Sequence, residues 1–200
     1  MRRRVALVLA AMTLALLLAS GVAWAVTKIG TNGPDTLTGT NGDDNLVGKG
    51  GNDELFALRG NDNLEGGPGK DVVNGGSLTR PFRGDKNLVG GPGNDAVQGG
   101  LHSDNLVGGQ GNDFMVDGDI RVQHEDKLSG GAGNDVIIVV NDPAFEDLVT
   151  CGGGFDRVLA DRKDVLAPDC EKVFVGLGAG DAFFESIPES FFEGLHPVFS

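Results

Sequence analysis

Aspartate is the residue type in this chain best placed to do chemistry, and it recurs at a spacing of nine. Asp35, Asp44, Asp53, Asp62 and Asp71 form one run, Asp95, Asp104 and Asp113 a second, and Asp126, Asp135 and Asp156 follow. The blocks around them begin GTNGPDTLT (30–38), GTNGDDNLV (39–47), GKGGNDELF (48–56), ALRGNDNLE (57–65) and GGPGKDVVN (66–74). GGPGNDAVQ (90–98), GGLHSDNLV (99–107) and GGQGNDFMV (108–116) come next, then GGAGNDVII (130–138) and CGGGFDRVL (151–159). The shared pattern is G-G-x-G-x-D-x-U-x, with U a large aliphatic. Glycine at the first, second and fourth positions permits positive φ and close backbone approach, so six residues can turn sharply with their carbonyl oxygens inward. The aspartate adds a carboxylate to that ring. Hard oxygen donors without histidine or cysteine suit Ca²⁺, which takes 6–8 oxygens at about 2.3–2.6 Å. The eleven aspartates are therefore candidate metal ligands, and several calcium ions the expected cofactor.

Positioning such turns requires short strands. Positions 7 to 9 of each block predict a strand in which position 8 alone faces inward. The inward residues are then Leu37, Leu46, Leu55, Leu64, Val73, Leu88, Val97, Leu106, Met115, Leu128, Ile137 and Val158. They form a thin aliphatic column between two parallel sheets. The 34 glycines among 200 residues disfavour helical folds, because each helical glycine costs about 1 kcal/mol relative to alanine.

With these repeats the chain resembles the RTX, or hemolysin-type, calcium-binding family over about residues 30–159. The resemblance implies an all-β, right-handed parallel β-roll, or β-solenoid, with two nonapeptides per 18-residue coil and calcium between loops stacked one coil apart. Carried over to this chain, it pairs Asp35 with Asp53, Asp53 with Asp71, and Asp44 with Asp62. Further on it pairs Asp71 with Asp95, Asp95 with Asp113, and Asp113 with Asp135. Successive coils lie ~4.8 Å apart, so rows of carboxylates repel and the metal-free chain is expected to be largely disordered until calcium binds.

Three stretches depart from the pattern. Leu78 to Arg83 reads as a six-residue insertion, and Lys86 then stands where an aspartate belongs. Two explanations fit: a degenerate coil without metal, or an ammonium replacing one calcium opposite Asp62 and Asp104. Asp117 to Ser129 is a repeat stretched by four residues, and Val139 to Thr150 a weaker copy with Asp147 and Val149 in its key positions. His102 replaces a fourth-position glycine.

At the N-terminus, Arg2, Arg3 and Arg4 precede an apolar run from Val5 to Ala19 and an Ala23-Trp24-Ala25 small-x-small pattern. This predicts a cleaved signal peptide over 1–25, a secreted protein beginning at Val26, and no membrane association after cleavage. The rival reading is a retained anchor, since Val5–Val26 could span ~30 Å of hydrocarbon. Residues 26–159 are read as the calcium-binding roll and 160–200 as a C-terminal cap and Phe-rich tail. In an exported chain, Cys151 and Cys170 are expected to form a disulfide that clamps this cap, with Val158, Val165 and Val173 as the last rung. Phe183-Phe184 and Phe191-Phe192 sit in the tail, which either folds back as a cap or docks a partner.

A net charge of −13 argues against nucleic acid or an anionic bilayer as partner. No H-E-x-x-H or G-x-S-x-G sequence is present, and His102, His124 and His196 are scattered along the chain. No enzyme activity is expected. A secreted calcium-dependent structural module is the leading function. An adhesion or interaction protein is the alternative, presenting either the tail or outward residues such as Val89, Val107, Val116 and Ile138.

Overall fold

The computed structural model of the chain describes residues 24–76, 86–118, 124–141 and 144–175. Residues 1–23 of the expected leader, the Leu78–Arg83 insertion and the tail beyond Val175 lie outside the described residues. Sixteen strands and no helix occur among those described. In chain order they are β1 (Thr27–Ile29), β2 (Thr36–Thr38), β3 (Asn45–Val47), β4 (Glu54–Phe56), β5 (Asn63–Glu65) and β6 (Val72–Asn74). Then come β7 (Asn87–Pro92), β8 (Ala96–Gln98), β9 (Asn105–Gln110), β10 (Phe114–Val116) and β11 (Lys127–Ala132). The series ends with β12 (Val136–Val139), β13 (Leu148–Gly153), β14 (Arg157–Ala160), β15 (Val165–Leu166) and β16 (Lys172–Val175).

Odd-numbered strands make one eight-stranded parallel sheet and even-numbered strands another. The chain is thus a parallel β-solenoid of about seven turns, each turn crossing once through each sheet. Three-residue strands suffice because each contributes one inward side chain, which stacks on its counterpart one coil away. Leu46 is in register with Leu64, Leu64 with Leu88, and Leu88 with Leu106. The expected aliphatic column is the core. Its members from Leu46 to Val158 are sealed from solvent, and Leu37 at the open first coil packs against them partly buried. Val149 joins the column in register with Leu128.

Coil lengths follow the irregularities. Leu64 to Leu88 spans 24 residues, Leu106 to Leu128 spans 22, and Leu128 to Val149 spans 21, against 18 for Leu46 to Leu64. The sheets hold their register across each insertion. At the far end one expectation is corrected. Leu166, not Val165, faces inward opposite Val149, and Val165 is exposed. The segment from Asp156 to Asp164 is shorter than a full repeat, so the strand enters one residue out of the assumed phase. Val173 is in register with Val158 as expected, but stays half-exposed on the last strand of its sheet.

Cys151 and Cys170 are bonded, with their Cα atoms 5.1 Å apart. Closing a loop of this size contributes roughly 3 kcal/mol. The bridge lies beside the final coil of the described residues.

Candidate metal centre

Alternation of strands between sheets sorts the turns onto two edges. Turns leading into even-numbered strands are 30–35, 48–53, 66–71, 90–95, 108–113, 130–135 and 151–156, each six residues long. Turns leading into odd-numbered strands hold most of the irregularities, namely Ala57 at a first position, Lys86, His102 and all three lengthened segments, while the other edge departs at Cys151 and in the glycine-free turn before β16. One edge is regular and the other variable, a division that the nine-residue period conceals.

On the regular edge the aspartates form a ladder. Each donates its backbone N–H to the carboxylate one coil on: Asp35 to Asp53 Oδ1 (2.8 Å), Asp53 to Asp71 (2.8 Å), and Asp71 to Asp95 (2.8 Å). Asp95 donates to Asp113 (2.9 Å), Asp113 to Asp135 (2.9 Å), Asp135 to Asp156 (2.8 Å), and Asp156 to Glu171 Oε2 (2.9 Å). The variable edge repeats the motif, with Asp44 donating to Asp62 Oδ1 (2.9 Å), Asp104 to Asp126 (2.6 Å), Asp126 to Asp147 (2.9 Å) and Asp147 to Asp164 (3.2 Å). All six expected pairs are brought together. Asp147, Asp164 and Glu171 extend the ladders. The last two were missed because their blocks lack glycine, although each still reads acid-x-aliphatic: Asp164-Val165-Leu166 and Glu171-Lys172-Val173.

One carboxylate oxygen therefore serves the backbone. The second does not. Oδ2 of Asp53, Asp71, Asp95, Asp113, Asp135 and Asp156 is buried and accepts no hydrogen bond. A Cβ on first-position Gly90 would lie 2.6 Å from Asp95 Oδ2 and 2.7 Å from Gly108 O. The orphan oxygen and the next coil's carbonyl thus converge on the bare face of that glycine. Buried anionic oxygens without a partner are costly. A row of them beside inward carbonyls is the hard-oxygen donor set that suits Ca²⁺.

Burial, reinforced by neighbouring carboxylates, lifts these acids far above their ordinary range. Desolvation is the largest cause in each case. Asp95 is pushed up to about 7, Asp113 to about 8 and Asp135 to about 7 on the regular edge, and Asp126 to about 10 on the variable one. Each rise expresses how unfavourable the bare anion is there.

The fifth position, variable in the repeat, also has a use. Asn52, Asn94, Asn112 and Asn134 accept the backbone N–H of the residue one coil on, at 2.7–3.0 Å. Asn45, Asn63, Asn87 and Asn105 join their side-chain amides in a second ladder along the odd-numbered sheet.

Four stretches of the chain, 29–64, 47–77, 84–115 and 124–138, match the model of the RTX calcium-binding nonapeptide repeat. The chain belongs to the RTX calcium-binding nonapeptide-repeat family. No curated protein and no solved structure matches it significantly. RTX repeats form β-rolls, in agreement with the two stacked sheets.

Within this RTX roll, Lys86 decides between the two readings of its coil. The side chain is buried, its Nζ lies 3.7 Å from Asp62 Oδ2 and donates to Gly60 O at 3.1 Å. Its backbone N–H donates to Asp104 Oδ1 at 2.8 Å, so the ladder continues through it. The ammonium lies against the carboxylate opposite which a cation was expected, and the geometry favours a tethered cation over a merely degenerate coil. Lys86→Asp is expected to raise the calcium count by one ion per chain, measured by native mass spectrometry. An unchanged count would leave the ammonium without that role.

The histidines are less scattered than the sequence implied. The rings of His102 and His124 lie 4.6 Å apart, although the two residues are 22 positions apart in the chain.

Proposed function

We propose that this chain is an exported structural module whose folding is driven by Ca²⁺ held between stacked loops. Asp35, Asp53, Asp71, Asp95, Asp113, Asp135 and Asp156 would ligate it on the regular edge, and Asp44, Asp62, Asp104 and Asp126 on the variable one. The observation that carries this reading is the buried row of Oδ2 atoms on the regular edge, each without a hydrogen-bond donor. Divalent ions there would neutralise carboxylates that otherwise repel along the stack. RTX β-rolls are structural calcium-binding modules rather than catalytic ones.

Export is supported by the disulfide and by the leader-like N-terminus. Val26 N donates to Asp44 Oδ1 at 2.7 Å, so cleavage after Ala25 would leave an ammonium on that carboxylate. Exported calcium modules commonly bind in the range of about 10⁻⁴–10⁻³ M. The module would then stay unfolded before export and fold outside the cell. Residues 160–200 would close the open end of the roll, with the Phe-rich tail as cap.

A calcium-dependent adhesion role is the second reading, favoured by the exposed Phe155, Val165 and Val175 around the last coil. Titrating the purified chain with calcium in a calorimeter tests the first premise of both. Saturable heat with several ions per chain is expected. Absence of heat at millimolar calcium would overturn the proposal.

A further inference from the structure

On the variable edge, one coil step differs in kind from the rest. The segment from Asp117 to Asp126 begins with aspartate where the repeat has glycine. A first-position Cβ points at the carboxylate of its own turn: at Gly99 it would sit 3.0 Å from Asp104 Oδ2. A side chain at that position therefore reaches into the turn. Asp117 is such a side chain, in register with buried Val139 of the next coil, whose neighbour Val116 pairs with Ile138.

Asp117, Asp126 and Asp147 each offer one carboxylate oxygen, and these oxygens lie within 4.8 Å of one another. Two oxygens on one Ca²⁺ can lie at most about twice its bond length of about 2.4 Å apart, so no pair among the three is too far apart to share an ion. All three residues are buried, at 1%, 0% and 0% exposure. Oδ2 of both Asp126 and Asp147 accepts no hydrogen bond, while their Oδ1 atoms are occupied by the ladder. Asn141, also buried, donates from Nδ2 to Asp117 Oδ2 at 3.1 Å and so fixes the orientation of that carboxylate.

We propose that Asp117, Asp126 and Asp147 together hold one Ca²⁺, with a side-chain carboxylate where most other turns of the roll carry glycine. The site rests on the calcium reading above, and supplies a third carboxylate where the lengthened turn departs from the repeat. Asn141 is a positioning residue. Asp117 stands at a consensus glycine position, which carries no carboxylate in the repeat, and this is why the repeat pattern alone does not mark it.

Counting ions by native mass spectrometry at saturating calcium tests this. Asp117→Asn keeps the side-chain shape and removes one charge, and is expected to bind one ion fewer than the unaltered chain with an unchanged circular dichroism spectrum. An equal count overturns the proposal while leaving the general calcium reading intact. If the unaltered chain binds no calcium, both readings fall. Should Asp117→Asn not fold, crystals of the unaltered chain grown with terbium provide the second measurement. An anomalous peak within about 2.3–2.6 Å of oxygens from all three aspartates supports the site. A peak that excludes Asp117, or none, overturns it.

Discussion

Withdrawal of calcium is expected to dissolve the roll. In metal-free buffer near pH 8, the far-ultraviolet circular dichroism of the chain should fall to that of a largely disordered polypeptide, and millimolar calcium should restore the β-signal. The core is one inward side chain per strand, such as Leu64, Leu88 and Leu106, too thin to offset the regular edge's row of buried carboxylate oxygens that accept no hydrogen bond. A fully β-rich spectrum in excess EGTA would contradict this. The pH dependence has a definite sign. Asp95, Asp113 and Asp135 titrate near 7 to 8 in the fold, against about 3.9 when unfolded. Between those limits the folded chain binds more protons than the unfolded chain, so metal-free stability is fully present below about pH 4 and falls as pH rises toward 8. Metal-free chain should therefore show more β-signal at pH 5 than at pH 8. In calcium the dependence reverses, because protons compete for the same oxygens.

Gly93→Ala is expected to be the most damaging glycine-to-alanine change among the described residues. Gly93 has φ of +156°, and an added Cβ would fall inside the van der Waals radius of Gly69 O on the preceding coil. Because the obstruction is backbone in a stacked turn, no rotamer relieves it. A loss of at least about 3 kcal/mol is reasonable for strain and broken stacking combined. A calcium-loaded thermal melt measures it, and a melting temperature within a degree or two of the parent would refute the argument. Leu58 provides the matched opposite. It occupies the left-handed region at φ +77°, where a non-glycine residue costs roughly 1–2 kcal/mol. Leu58→Gly should hold or raise the melting temperature.

Much of this molecule is legible in its residues because the solenoid is nearly one-dimensional. Aspartate and aliphatic residues in a common phase locate each strand, and that phase survives the six- and four-residue insertions, so Leu64 finds Leu88 and Leu106 finds Leu128. Cysteine pairing followed from there being only two to pair. Phase fails in the last described coil, where residues 155–175 hold no glycine and Leu166 rather than Val165 takes the inward place.

Sequence by itself determined the coil partners, because neighbours in a parallel stack carry the same aspartate-x-aliphatic phase two repeats apart, whatever the length of the segment between them. Tertiary structure alone decided what lies across a turn. Only alternate passage through two sheets separates a regular edge from a variable one, and only stacking commits Oδ1 of each aspartate to a backbone amide while leaving Oδ2 to face the turn. The contact of Asp117 with Asn141 belongs to the same class, and that of Lys86 with Asp62, which the sequence offered as one of two readings, is selected in the same way. They join side chains about 24 residues apart, across segments whose lengths break the period, and such contacts are set by where the chain returns rather than by how it repeats.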